Sequence, residues 1–241
     1  MVNTGARWRQ IIYASPPHLD LYLFCSNGTP FGKCLSYWPP FPISISYHLP
    51  NGDFLQPEGH VVELVAALEH SDRVYHVELE ITTSGIEEVV AMMQVPFPVL
   101  THLELNGYVE VPVLPGGFLG HRYLGGSASC PRHLRLAGIP FPESPPLLLS
   151  ASDLVSLELD CIPPMSLISP KAMVIGLAGL TRLRNLRIQF PVPSPVQTRR
   201  LQDPPMLVVL PALTQFSIAG DSEYLEDLLA RIDTPKTTAP E

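Results

Sequence analysis

Three histidines in this chain occupy the same place in three consecutive sequence phrases. They are His76 in VYHVELEI, His102 in LTHLELNG and His133 in PRHLRLAG. If the phrases are neighbouring strands, equivalent positions stack about 4.8 Å apart, and a column of three imidazoles could hold zinc. Cys130 lies close by in a Cys-x-x-His phrase, and all eight histidines lie at or before His133. The same column continues as Ser156, Asn185 and Gln215, so it reads as a polar row. No metal and no cofactor is expected.

Other residue types invite other chemistries. The Gly-rich run 116–126 could cradle a phosphate, but no Lys-Ser/Thr follows it, and it reads as an inter-repeat loop. Gly125-Gly126-Ser127-Ala128-Ser129 falls one residue short of a nucleophile elbow, with Ser129 where the second glycine belongs and no strand feeding it. Cys25, with His18 upstream, could imitate a cysteine nucleophile, yet both fall in one strand-like segment with no orienting partner. Carboxylates spaced by two, Glu78 with Glu80 and Glu158 with Asp160, share a strand face and could do acid–base work. A solvated sheet face explains them with no reaction. The chain is therefore expected not to be an enzyme.

The elements that would position these side chains are short. Of 241 residues 28 are proline, more than twice the usual share of about 5%, and they are spread through hydrophobic sequence. That spacing excludes coiled coils and helical bundles, because proline breaks helix interiors. Net charge is uneven. Residues 1–120 hold 4 Lys/Arg against 12 Asp/Glu, and residues 121–241 hold 11 of each. An acidic first half argues against nucleic acid and against an anionic membrane surface as partners. No stretch has the length and apolar quality of a spanning helix. The four cysteines are irregularly placed and no apolar signal core opens the chain, so a cytoplasmic or nuclear location is expected. The sequon Asn27-Gly28-Thr29 then reads as a turn.

One phrase recurs: apolar, two residues, apolar, one residue, apolar. Beyond the three histidine phrases it appears as LVSLELDC at 154–161, LRNLRIQF at 183–190 and LTQFSIAG at 213–220. The central residues Val77, Leu103, Leu134, Leu157, Leu186 and Phe216 are spaced by 26, 31, 23, 29 and 30 residues. HLDLYLFC at 18–25 and PISISYH at 42–48 are weaker candidates. Period-2 alternation makes each a strand with one buried face. Helices are expected at 6–13, at 58–71, from a Ser84–Glu87 capping box to Met93, from Ser169-Pro170 to about Leu180, and from Asp221-Ser222 to Ile232. Segments 139–147 and 191–205 read as Pro-rich loops and 234–241 as a disordered tail. The expected fold is α/β: one solenoid over 1–241, an open curved parallel sheet with helices and loops on its convex side. A doubly wound α/β enzyme is the competing architecture.

The run from FLGHRYLGGSASCPRHLRLAGIPFPESPPLLLSASDLVSLELDC through LRNLRIQF, and VLPALTQFSIAGDSEYLEDLLARIDTP, resembles the leucine-rich-repeat region of fungal F-box proteins. The segment RWRQIIYASPPHLDLYLFC resembles the same architecture, so the likeness spans about Ala6 to Pro235. The resemblance implies the target-recognition arm of a cullin-type ubiquitin ligase. It implies a protein target, and a Skp1-type adaptor only where an F-box lies upstream. Five residues precede Ala6, so both ends are expected to be cut; a truncated, non-functional paralogue is a further alternative.

On such a solenoid the solvated strand face binds partners. The expected partner-binding residues are Glu78, Glu80, Glu104, Asn106, Arg135, Glu158, Asp160, Arg187 and Gln189. Their charges make the face acidic in the early repeats and mixed in the later ones, which suits a partner with a basic patch.

Overall fold

The computed structural model describes residues 22–26, 35, 41–48, 58–108, 123–126, 130–139, 146–161, 168–190 and 207–233. The expected helix at 6–13, the sequon, the loop 191–205 and the tail 234–241 lie outside them. So do His18, Cys34, Ser127–Ser129 and most of the Gly-rich run.

In chain order the elements are β1 (Leu23–Cys25), β2 (Ile43–His48), α1 (Glu58–Leu68), β3 (Val74–Thr82), α2 (Thr83–Met92), β4 (His102–Tyr108), β5 (His133–Ala137) and α3 (Pro146–Ser150). They continue as β6 (Ser156–Asp160), α4 (Pro170–Leu177), β7 (Asn185–Gln189), β8 (Val208–Val209), β9 (Gln215–Ala219), α5 (Ser222–Leu229) and β10 (Ile232–Asp233). Eight strands form one sheet in the order β1-β2-β3-β4-β5-β6-β7-β9, every pair parallel. The fold is thus α/β with a large parallel sheet, and from β2 onward each strand of this sheet pairs with the sheet strand before it, β9 following β7 because β8 pairs elsewhere.

Register follows from the alternation. Val77, Leu103, Leu134, Leu157, Leu186 and Phe216 face one another across the sheet, and Leu79, Leu105, Leu136, Leu159, Ile188 and Ile218 form a second apolar row. A one-residue slip in any strand would turn both of its row members out to solvent. The rows are buried as far as β7. In β9, Phe216 is 37% exposed. Each buried leucine contributes about 1.5–3 kcal/mol of burial, which makes these rows the core of the sheet.

Backbone donors ahead of the strands are satisfied by one repeated bond. The amides of Thr101, Arg132, Val155, Arg184 and Thr214 donate to the carbonyls of Tyr75, Thr101, Arg132, Val155 and Arg184, each at 2.8 Å. Each repeat therefore hands its pre-strand carbonyl to the next. Beyond the strands, Gly138 has φ +65°, and a Cβ there would run into the backbone oxygen of Gly107. Only glycine fits that turn.

The helices line up beside the sheet, α1 packing on α2, α3 on α4 and α4 on α5. Ser169 caps α4, accepting from the Ala172 amide at 3.2 Å with Pro170 in the first turn, and Asp221 caps α5 by accepting from Glu223 and Tyr224. Among the described residues no helix is long and apolar enough to cross a membrane.

Six expectations need correction. Helix α2 is capped by Thr82, which accepts from the Gly85 amide, and not by Ser84 with Glu87. Thr82 closes β3 in an extended conformation, so strand runs into helix with no loop for a separate cap. Helices α1 and α4 end at Leu68 and Leu177, three residues short of Ser71 and Leu180. Helix α5 stops at Leu229, because Ile232–Asp233 pairs in parallel with Val208–Val209 as a separate two-stranded sheet. Within 139–147 the chain is already helical from Pro146, where a proline's missing amide costs nothing in a first turn. At the end of the Gly-rich run, Tyr123–Gly126 forms a 3-10 turn, with the Tyr123 hydroxyl donating to Met93 Sδ at 3.5 Å. Burial pushes that hydroxyl's pKa upward.

Candidate functional site

Opposite the apolar rows, every second residue of each strand faces away from the core. Three polar columns result. The first is Ser44, His76, His102, His133, Ser156, Asn185 and Gln215. The second is Ser46, Glu78, Glu104, Arg135, Glu158, Arg187 and Ser217. The third is His48, Glu80, Asn106, Ala137, Asp160, Gln189 and Ala219. All nine residues expected at a binding face therefore lie in two adjacent columns of one sheet face.

Arg135 is the centre of the charge network. Its Nη1 lies 3.2 Å from Glu104, its Nη2 3.4 Å from Asp160 and its Nε 3.8 Å from Glu158. Arg187 Nε reaches the other oxygen of Asp160 at 3.4 Å and its Nη2 donates to Gln189 at 3.3 Å. Arg135 Nε and Asp160 Oδ1 are buried with no aligned hydrogen bond, so the pairings at those atoms are electrostatic contacts. Asp160 departs from the expectation of a solvated carboxylate: its side chain is only 10% exposed, covered by the two guanidinium groups.

Towards β2 the partners change. His48 approaches Glu80 at 3.1 Å and Glu78 at 3.7 Å, while His76 lies 3.7 Å from Glu78. The Tyr108 hydroxyl donates to Glu80, and that bond holds its proton on, raising its pKa. Sequence reasoning did not single out His48 or Tyr108. The alternation of ISISYH put His48 on this face, but the weak strand phrase carried no charged residue to draw attention to it.

The three histidines stack in the first column. Ring centroids are 5.3 Å apart for His76–His102 and 4.1 Å for His102–His133, with interplanar angles of 26° and 18°. Near-parallel rings turn their faces to one another, so their nitrogens do not converge on a common point as metal ligands must. Among the described residues no group of three or more His, Cys, Asp or Glu is arranged to hold an ion. The Cys130 thiol is committed to the carbonyl of Pro98 at 3.0 Å. Cys25, the other thiol weighed for chemistry, is buried in β1.

Between the imidazole column and the charged column runs an open cleft of about 190 Å³, lined by His76, His102, His133, Ser156, Glu104, Arg135 and Glu158. Its floor is the strand backbone at Val77, Leu103 and Leu134, whose side chains are buried on the other face of the sheet. His102 has a lowered pKa, first because burial disfavours its charged form and then because His133 and His76 flank it. Glu104 has a raised pKa: burial outweighs the opposing pull of Arg135, and Glu78 and Glu158 add repulsion. The arrangement can hold a charged, planar group by ion pairing and stacking. No family model, no curated protein and no solved structure matches this chain.

Proposed function

We propose that the chain is a non-enzymatic protein-interaction module, a leucine-rich-repeat-like solenoid that holds a protein target against the polar face of its sheet. It acts inside the cell, in the manner of the target-recognition arm of an F-box ubiquitin ligase subunit. One observation supports this most: six strands, β3 to β7 and then β9, lie side by side in the order of the chain and carry the same positions in register, so one face repeats apolar rows and the other repeats polar columns. A doubly wound sheet reverses its strand order and places a ligand crevice at the reversal. Here the order does not reverse.

The face carries five carboxylates, Glu78, Glu80, Glu104, Glu158 and Asp160, against two guanidinium groups, Arg135 and Arg187. A target with a basic patch complements it, which raises the association rate and sets orientation more than it adds raw affinity. The test is affinity capture with the full chain beside a variant carrying Glu78→Lys, Glu104→Lys and Glu158→Lys. The variant is expected to keep the parent's circular dichroism spectrum and to lose the proteins the parent retains. Unaltered capture, or collapse of the fold, would count against a recognition face here.

A further inference from the structure

The carboxylates of the polar face divide by what answers them. Glu104, Glu158 and Asp160 lie against Arg135 and Arg187, whose charge is fixed at any ordinary pH. For Glu78 and Glu80 the cationic groups within reach, among the described residues, are the imidazoles of His48 and His76. Each oxygen of Glu78 faces one ring: Oε1 faces His48 Nε2 and Oε2 faces His76 Nε2, both at 3.7 Å. That separation is outside hydrogen-bond range, so a neutral ring does little for Glu78 while a protonated ring pairs with it. Glu80 accepts from Tyr108 through one oxygen, and its other oxygen lies 3.1 Å from His48 Nδ1.

The surroundings of both rings suit them to take up protons. His48 also contacts the Ser46 hydroxyl at 3.1 Å, and its side chain is half exposed, so it exchanges protons with solvent. His76 is flanked by Ser44 on β2, by Tyr75 on its own strand and by the stacked ring of His102 on β4. Within the stack one charged ring disfavours charge on the next, and His76 is the member that pairs with a carboxylate. Glu104 stands in register with Glu78 and repels it, while Arg135 is shared among Glu104, Glu158 and Asp160.

We propose that His48 and His76 gate the acidic corner of this face by proton. With both rings neutral, Glu78 and Glu80 present open charge to a basic segment of the bound protein; with both rings protonated, the corner is compensated from within and releases that segment. The proposal rests on the reading of the face as a protein-binding surface and names how that surface is regulated. Docking and protonation compete for the same carboxylates, so by linkage the bound segment opposes proton uptake as much as protons oppose the segment.

The experiment uses the full chain and a rhodamine-labelled hexalysine peptide, whose side chains stay charged throughout the range used. Fluorescence anisotropy reads its affinity at pH 7.5 and at pH 5.5. The parent is expected to bind at least tenfold more weakly at pH 5.5. His48→Gln combined with His76→Gln should hold that drop to threefold or less. His48→Gln alone, at a half-exposed side chain whose change leaves the fold intact, should hold it to fivefold or less. His70→Gln, in the turn between α1 and β3, should keep the parent's drop. A parent that binds equally at both pH values, or not at all at pH 7.5, overturns the proposal, as does a double variant with the parent's drop. If that drop persists while Glu78→Lys, Glu104→Lys and Glu158→Lys together abolish binding at pH 7.5, the gate is wrong and the recognition face stands. If the triple variant binds like the parent, the face itself is wrong.

Discussion

Leu157→Ala tests whether the repeated phrases are core strands. Leu157 is 0% exposed and sits in register between Leu134 and Leu186, themselves buried. Shortening it removes three carbons' worth of burial and leaves a void that its neighbours cannot close, because both are pinned by strand pairing. Leucine-to-alanine changes in such sites cost about 2–5 kcal/mol, and a site flanked on both sides belongs near the middle, at about 3 kcal/mol. In a chain of this size that lowers the thermal midpoint by roughly 6–12 °C. The matched comparison is Leu149→Ala on α3, where the side chain is 54% exposed and the loss should stay within about 0.5 kcal/mol. Urea unfolding of the parent and the two variants, followed by circular dichroism, gives the two differences directly. Equal shifts for Leu157→Ala and Leu149→Ala would refute the assignment of 154–161 as a buried repeat strand.

Gly138→Ala should destabilise by more than about 2 kcal/mol, since it adds a left-handed penalty of about 1–2 kcal/mol to a collision with the Gly107 backbone; a melting curve like the parent's would show that the turn is not built as described. Acid should weaken the fold through His102. Its folded pKa lies below the ordinary value of 6.5, so the unfolded chain binds the proton more readily, and stability present above pH 6.5 is lost as pH falls through the folded pKa. Glu104 acts the other way: its raised folded pKa adds stability at low pH that is lost as pH rises through that pKa. Urea midpoints between pH 7.5 and 5.5 should therefore fall for the parent and fall less for His102→Gln; identical slopes would remove His102 from the account.

The strands were legible because each signal was local and repeated. Val77 through Phe216 could be aligned by phrase alone, and the aligned residues are the ones the sheet pairs. The caps at Ser169 and Asp221 were legible for the same reason, a short side chain next to the first helical turn. What escaped depends on partners distant in sequence. Val208–Val209 and Ile232–Asp233 are two residues each, too short for any period, and become strands only by finding one another. Thr82 took the cap from Ser84 because the strand ends where the helix begins, a junction no capping pattern encodes. The burial of Asp160 under Arg135 and Arg187 needed the register of three strands at once.

The order of charges along the second column bears on where a partner would be felt. From β4 onward it reads Glu104, Arg135, Glu158, Arg187, so each charge has an opposite neighbour one strand away and the later repeats satisfy themselves. At the β3–β4 step the order fails: Glu78 faces Glu104 directly in register. Two carboxylates about one strand spacing apart repel, and the sheet's own answer to Glu78 comes from the imidazoles of His48 and His76, which carry charge only when protonated. The Glu78–Glu104 step is therefore the place in this column where like charges meet in register, and the cleft begins at its second member. A sheet selected only for stability would extend the alternation through that step, since an arginine in place of Glu78 would pair with Glu104 as Arg135 does. Keeping like charges adjacent at the edge of an open cleft costs stability, and an external cation docking there offsets that repulsion.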